Sequence, residues 1–349
     1  MSSREWRIIA LTLDYPHHAG GSGYGQLARR IRYDSVITPP TGALARLYGR
    51  LASATASNRI IKKFTRRKVG TEVRYLLRHG LGSHKLVHAF YGEHHSWLLR
   101  AIPKGTKERR VMTIHLPPSM WHVSFKPHQA KKFDAIVLMS HSQVEPLRKH
   151  LGYDGIVEVI EHGVDTERFS FKEHTLSSQK IDCIMVGNFL RDYEALADIA
   201  RYCETNAPEI HFHVVANMES GTAIVGLPNV THHRGISDEK LVQLYQDATI
   251  GFFTLTDCTA NNAVLEAMAA GLPIFVNDVG GIRTYVDDSF AVFIEKDKPE
   301  KIVAEIKALV SDLSSYKEKS LHARARAEGF AWDVIADKTK RLYRQVIEK

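Results

Sequence analysis

Gly20, Gly21, Ser22, Gly23 and Tyr24 follow the apolar run Ile8 to Leu13 and lead into a helix-like stretch. A strand, a glycine turn and a helix put backbone N–H groups and a positive helix end where an anion can sit. The spacing is G-x-G-x-G, and residues 38–53 hold no Asp or Glu, so the dinucleotide fingerprint with its ribose-binding acid is absent. A tight turn that needs positive φ explains the same glycines. Further on, Asn261 and Asn262 are suited to cap a helix that carries Glu266 and closes at Gly271. Four residues apart, Asn262 and Glu266 share a face. A carboxylate beside a capped, phosphate-ready helix end suits ribose hydroxyls; the alternative is a Glu on an exposed helix face. In the first half, His115 stands just past the run Val111 to Ile114 and before Pro117-Pro118, which stop regular structure. A lone His is often structural, but a strand-end His is also placed to meet a ligand. Glu93, His94 and His95 cluster after another apolar run and are candidate acceptor contacts. Adjacent His residues without a further ligand spacing do not make a metal site, so no metal is expected.

These groups need a scaffold, and the apolar runs supply it. "RIIALTL", "KLVHAF", "RRVMTIH" and "DAIVLMS" recur in the first half, and "KIDCIMVG", "IHFHVVAN", "ATIGFFTL" and "LPIFVND" in the second. Short apolar runs separated by about ten or more helix-compatible residues predict parallel sheets built from βαβ units. At 349 residues, two doubly wound α/β domains are expected, with the hinge near "EHGVDTERFSFKEHTLSSQ" and ligands outside the carboxyl ends of the strands. The expected boundaries are 1–165, 166–330 and a C-terminal helix, 331–349, that crosses back to the first domain.

Charge is uneven. Residues 1–160 hold 26 Lys and Arg against 10 Asp and Glu, and residues 161–349 hold 21 against 29. Within the basic half, "NRIIKKFTRRK" sets Ile60, Ile61 and Phe64 among Arg59, Lys62, Lys63, Arg66, Arg67 and Lys68. Two readings stand: an amphipathic segment for an anionic surface, or a solvated helix with an ordinary apolar stripe. No nucleic-acid recognition motif accompanies the charge. Three cysteines far apart suggest neither disulfides nor a zinc site. With no signal-peptide core and no apolar stretch of about eighteen residues, the chain is expected to be cytoplasmic.

Four segments together resemble retaining nucleotide-sugar glycosyltransferases of the GT-B fold, closest to glycosyltransferase family 4. They are "HGVDTERF", "NVTHHRGISDEKLVQLYQDATIGFFTLTD", "LEAMAAGLPIFVNDVGG" and "FAWDVIADKTKRLYRQV". The resemblance implies two Rossmann-like domains facing a cleft, with donor bound by the second and acceptor by the first. It implies transfer of a sugar, of hexosyltransferase type, from a nucleoside diphosphate donor without a separate cofactor. Glu266 matches the second Glu of the family's two-glutamate motif, a ribose ligand; the first is replaced by Cys258, with Asp257 beside it. Thr259, Ala260, Asn261, Asn262 and Ala263 fall in the donor loop. Gly187 and Asn188 stand where the family has Gly-Arg, and Tyr193 where it has Lys, leaving Arg191 as the substitute phosphate cation or as half of a surface pair with Asp192 or Glu194. The resemblance gives His115 contact with the reacting sugar, and makes Gly20 to Tyr24 a loop shaping the acceptor and phosphate pocket. It places the enzyme in polysaccharide or glycolipid synthesis, peripheral at the inner membrane face with a glycan or lipid-linked acceptor. The altered motifs leave open an epimerase, an inverting transferase or a non-catalytic nucleotide-sugar-binding module.

Overall fold

Strands buried on both faces are continuous apolar runs, and such strands pair in parallel when helices cover both sides of the sheet. In the computed structural model each of the eight runs contains a parallel strand. The structure describes residues 6–13, 22–40, 70–80, 83–93, 97–121, 130–173, 176, 179–217 and 222–349. These divide into two units, one containing residues up to His162 and Trp332–Lys349, the other Gly163–Ala331 together with Ser22.

The sheet of the first unit contains β1 (Arg7–Leu11), β2 (Ser35–Ile37), β3 (Lys85–Ala89), β4 (Glu108–Ile114), β5 (Ala135–Leu138) and β6 (Ile156–Val159), ordered β2-β1-β3-β4-β5-β6. Its core joins Ile9, Leu11, Val87, Met112, Ile114 and Ile136 to Leu147 and Leu151 of the helix Val144–Leu151. That helix ends at Gly152, whose φ of 55° closes it in the left-handed region.

The second sheet contains β7 (Ile181–Val186), β8 (Ile210–Val215), β9 (Val230–His233), β10 (Ile250–Phe253), β11 (Ile274–Val276) and β12 (Ala291–Phe293), ordered β12-β11-β10-β7-β8-β9. Four helices of this unit begin at side-chain caps: Asp192 for Tyr193–Asn206, Ser237 for Asp238–Asp247, Asn261 for Asn262–Ala269 and Asp312 for Leu313–Glu328. Each cap satisfies a backbone N–H that the helix itself leaves open.

Periodicity missed β2, β6, β9 and β12, and all four are sheet edges. An edge strand is short or half exposed, so it lacks the continuous apolar run that marks its inner neighbours. β6 carries the exposed Glu158, and β9 includes His232 and His233. The excess of cations in the first half is also partly internal. Lys85 and Arg110 are fully buried and Arg100 nearly so, with Arg110 Nε 2.7 Å from Glu108 Oε1.

Candidate functional site

In the second sheet β7 and β10 are neighbours although two strands separate them in sequence, so the winding reverses between them and their carboxyl ends border a crevice. The turn after β7 runs Gly187 (φ 111°), Asn188, Phe189, Leu190 and Arg191. Leu190, at φ 56°, is the one non-glycine residue with positive φ among the described residues, a strain of about 1–3 kcal/mol that the loop sustains. It turns Arg191 back over Gly187. A Cβ at position 187 would lie 2.6 Å from Arg191 Nη2, so glycine makes room for the cation.

All three nitrogens of the guanidinium donate to neutral oxygens: Nε to Val186 O at 2.9 Å, Nη1 to Phe189 O at 2.8 Å and Nη2 to Asn261 Oδ1 at 2.9 Å. Burial lowers its pKa. The surface pairing with Asp192 or Glu194 is not formed. Asp192 instead caps its helix through Ala195 N at 3.1 Å and pairs with Lys296, while Glu194 is exposed. Tyr193, standing where the resembled family has Lys, donates its hydroxyl to Gly187 O.

Asn261 has two tasks. Its Oδ1 also accepts Val264 N at 3.4 Å, so the cap of the helix Asn262–Ala269 is tied to Arg191. Glu266 is buried on that helix, which rules out the exposed-face reading. Its carboxylate accepts Tyr245 Oη at 3.0 Å and Ser22 Oγ at 2.5 Å, and burial pushes its pKa up to about 7. Tyr245 was missed by the motif reading, because its signal is only an apolar helix face. Cys258 is buried, its thiol donating to Thr259 O at 3.3 Å, with a pKa pushed up to about 12 by burial. Asp257 Oδ1 accepts the N–H of Cys258 at 2.7 Å and so shapes the turn. Thr259 and Ala263 are buried, while Ala260 and Asn262 are half-buried.

In the first sheet the winding reverses between β1 and β3. His115, just after β4, stacks on Tyr91 at 4.7 Å and meets Tyr24 edge-on at 4.9 Å. Its Nε2 lies 2.8 Å from Phe90 O, and burial lowers its pKa. Tyr24 is 1% exposed and packs against Phe90, Tyr91, His115, His162 and Trp332. Its ring is a packing element, which corrects its place as a ligand of the glycine loop. Glu93 is likewise buried, accepting the N–H groups of His115 and Leu116 with Oε1, and this corrects its reading as an acceptor contact. Of the remaining expectations, Gly23 is described at φ 104°, whereas Gly20, Gly21, His94, Arg59, Lys62, Lys63, Arg66 and Arg67 lie outside the described residues. No group of His, Cys, Asp or Glu suited to a metal occurs among the described residues.

Comparison with known proteins fits this geometry. Residues 180–312 match the model of the family described as glycosyl transferases group 1. A D-inositol 3-phosphate glycosyltransferase of Geodermatophilus obscurus is 24% identical over 249 residues, covering 62% of this chain and 53% of that protein. A relative of the same name from Catenulispora acidiphila is 29% identical over 110 residues, 31% of this chain and 26% of its own length. The chain thus spans about half the length, or less, of these curated relatives. Among solved structures, sucrose-phosphate synthase from Thermosynechococcus elongatus superposes with a TM-score of 0.74 at 17% identity, covering 98% of this chain and 99% of that one. An Anabaena protein solved with UDP and glucose gives a TM-score of 0.65 at 14% identity, covering 98% and 100%. The fold is GT-B. Within it, the match to glycosyl transferases group 1 falls in the second unit.

Proposed function

We propose that this chain is a retaining glycosyltransferase that moves a sugar from a nucleoside diphosphate donor to an acceptor hydroxyl. Arg191 carries the reading: a half-buried guanidinium bonded only to neutral oxygens, at the winding reversal of the second sheet and tied to the first turn of a helix. A half-buried cation whose hydrogen bonds all go to neutral oxygens is poised for an anion, and the diphosphate supplies one. Helix N–H groups of residues 262 and 263 would complete the phosphate contacts, and Glu266 would take the ribose hydroxyls. Departing diphosphate gains negative charge as the glycosidic bond breaks, which a preorganised cation stabilises more than it stabilises the bound donor. In retention by front-face attack, the leaving phosphate takes the acceptor proton, while His115 contacts the sugar.

Acceptor binding belongs, in this reading, to the first unit, with a lipid-linked or glycan acceptor presented at an anionic membrane for polysaccharide or glycolipid synthesis. The basic segment 58–68 motivates that surface role. No helix among the described residues is long and apolar enough to cross a membrane. D-inositol 3-phosphate, named for the curated relatives, heads the acceptor panel.

The test is a thermal-shift screen of nucleoside diphosphates and their sugars on the wild type and Arg191→Met, followed by transfer assays with analysis of the product anomer. Binding raises native stability by mass action. Loss of charge-assisted bonds should cost about 1.5–3 kcal/mol of nucleotide binding in the variant. Equal stabilisation of both proteins would remove Arg191 from the site, and binding without transfer would leave a nucleotide-sugar-binding module.

A further inference from the structure

Gly92 brings the turn after β3 against the end of β4. Its N–H donates to Thr113 O at 2.8 Å, and a Cβ there would lie 2.9 Å from the same oxygen, so a side chain would push the turn away. The close approach places the next residue, Glu93, under the backbone that follows β4. Glu93 Oε1 accepts the N–H of His115 and, at 2.7 Å, that of Leu116. The carbonyl of Leu116 in turn accepts Trp121 Nε1 at 2.7 Å and Gln143 Nε2 at 2.9 Å. Residues 115 and 116 are therefore gripped from both sides.

The imidazole is fixed with them. A carbonyl can only accept, so the bond to Phe90 O assigns the proton to Nε2, and the rings of Tyr91 and Tyr24 set its plane. We propose that Glu93 is a positioning residue for His115, fixing its backbone and supplying the negative potential that keeps the ring able to take a proton. An amide would accept the same two N–H groups without the cost of burying a charge. What the carboxylate adds is electrostatic, and it opposes the burial that lowers the pKa of His115. Among the described residues, Tyr24, Tyr91, His88 and His162 also face the ring, and the buried Arg100 lies within electrostatic reach of Glu93. His88 is itself buried with its pKa lowered to about 3, and so remains neutral at ordinary pH.

The catalytic consequence rests on the glycosyl-transfer reading, but the electrostatic coupling does not. Glu93→Gln keeps the two backbone bonds and removes the charge, and Glu93→Ala removes both. NMR titration of the His115 ring in the full chain should show the midpoint falling by about 1 pH unit in Glu93→Gln. In transfer assays the acid limb of the kcat profile should move down with that midpoint, while KM for the donor holds. Glu93→Ala, which also releases the backbone N–H groups of residues 115 and 116, should in addition lower kcat. An unchanged His115 titration in Glu93→Gln overturns the assignment. If the wild type transfers no sugar, the glycosyltransferase reading fails while the titration still tests Glu93.

Discussion

The two sheets are alike in size and in all-parallel pairing, yet their winding reversals hold opposite chemistry. In the first, the reversal lies between β1 and β3, and the nearby strand ends hold an imidazole whose pKa burial lowers, two tyrosines and a carboxylate. In the second, between β7 and β10, a cation sits among neutral acceptors beside a helix start. Backbone topology says where a site forms, but the charge at the strand ends says what it accepts. In the reading proposed above, the second reversal takes the donor's phosphates.

The contrast extends inside the units. The first spends charge on structure at Glu108 and Arg110, a pair with side chains 1% and 0% exposed whose guanidinium also donates to the carbonyls of Leu99, Ile102 and Pro103. Removing one partner leaves the other buried and unpaired. Glu108→Ala should therefore destabilise the protein by about 3–5 kcal/mol in chemical denaturation, the largest effect expected here. Nucleotide-induced stabilisation should persist in whatever fraction remains folded. A loss below about 1 kcal/mol would show that Arg110 finds water or another anion, and the two units would no longer differ in this respect.

Some of this was legible beforehand and some was not. Inner strands such as β3 and β5, buried along their whole length, declared themselves as apolar runs, whereas β8 alternates buried apolar residues with the half-buried His211 and His213. Edges such as β6, with its exposed Glu158, lack such a run. Glu266 and Arg191 were found through motif position, but their partners Tyr245 and Asn261 lie 21 and 70 residues away along the chain. Only the packed sheet brings such pairs together. Counting charges could not separate Lys85 and Arg110, which are buried, from cations that face water. Nor could the pair Glu93 and His94 reveal that its carboxylate turns inward to the backbone of residues 115 and 116.

Acid and base should act on the two reversals in opposite directions. In the second unit, the folded pKa of Glu266 is about 7, above the ordinary 4.5. The stability this group contributes is complete below about 4.5 and is lost as pH rises through 7. In the first unit, His88 and His115 have lowered pKa values, so their contribution is complete above about 6.5 and is lost as pH falls. Glu266→Gln should then match the wild type near pH 5 and exceed it in stability at pH 8.5, by up to about 3 kcal/mol. Melting temperatures of both proteins across that range provide the check. A difference independent of pH would mean that Glu266 is ionised throughout, already stabilised by Arg191.

The smallest effect is expected at Cys258, where the comparison becomes one of charge balance. The resembled family pairs an Arg and a Lys with a Glu at this position, giving one net positive charge. Here Arg191 stands without the second cation, and the position holds a buried thiol with its pKa pushed up to about 12 and therefore neutral. Cys258→Ser keeps a small neutral donor for Thr259 O and should cost no more than about 1 kcal/mol in stability, with nucleotide affinity unchanged. Cys258→Glu instead supplies an anion close enough to act on Arg191, whose pKa already responds to the side chain at 258. It should weaken nucleoside diphosphate binding by competing for the cation, and the loss should shrink when Arg191→Met is added. Calorimetry on the two single variants and the double variant measures that coupling directly. Additive losses would separate Cys258 from Arg191 and leave the charge balance without physical basis.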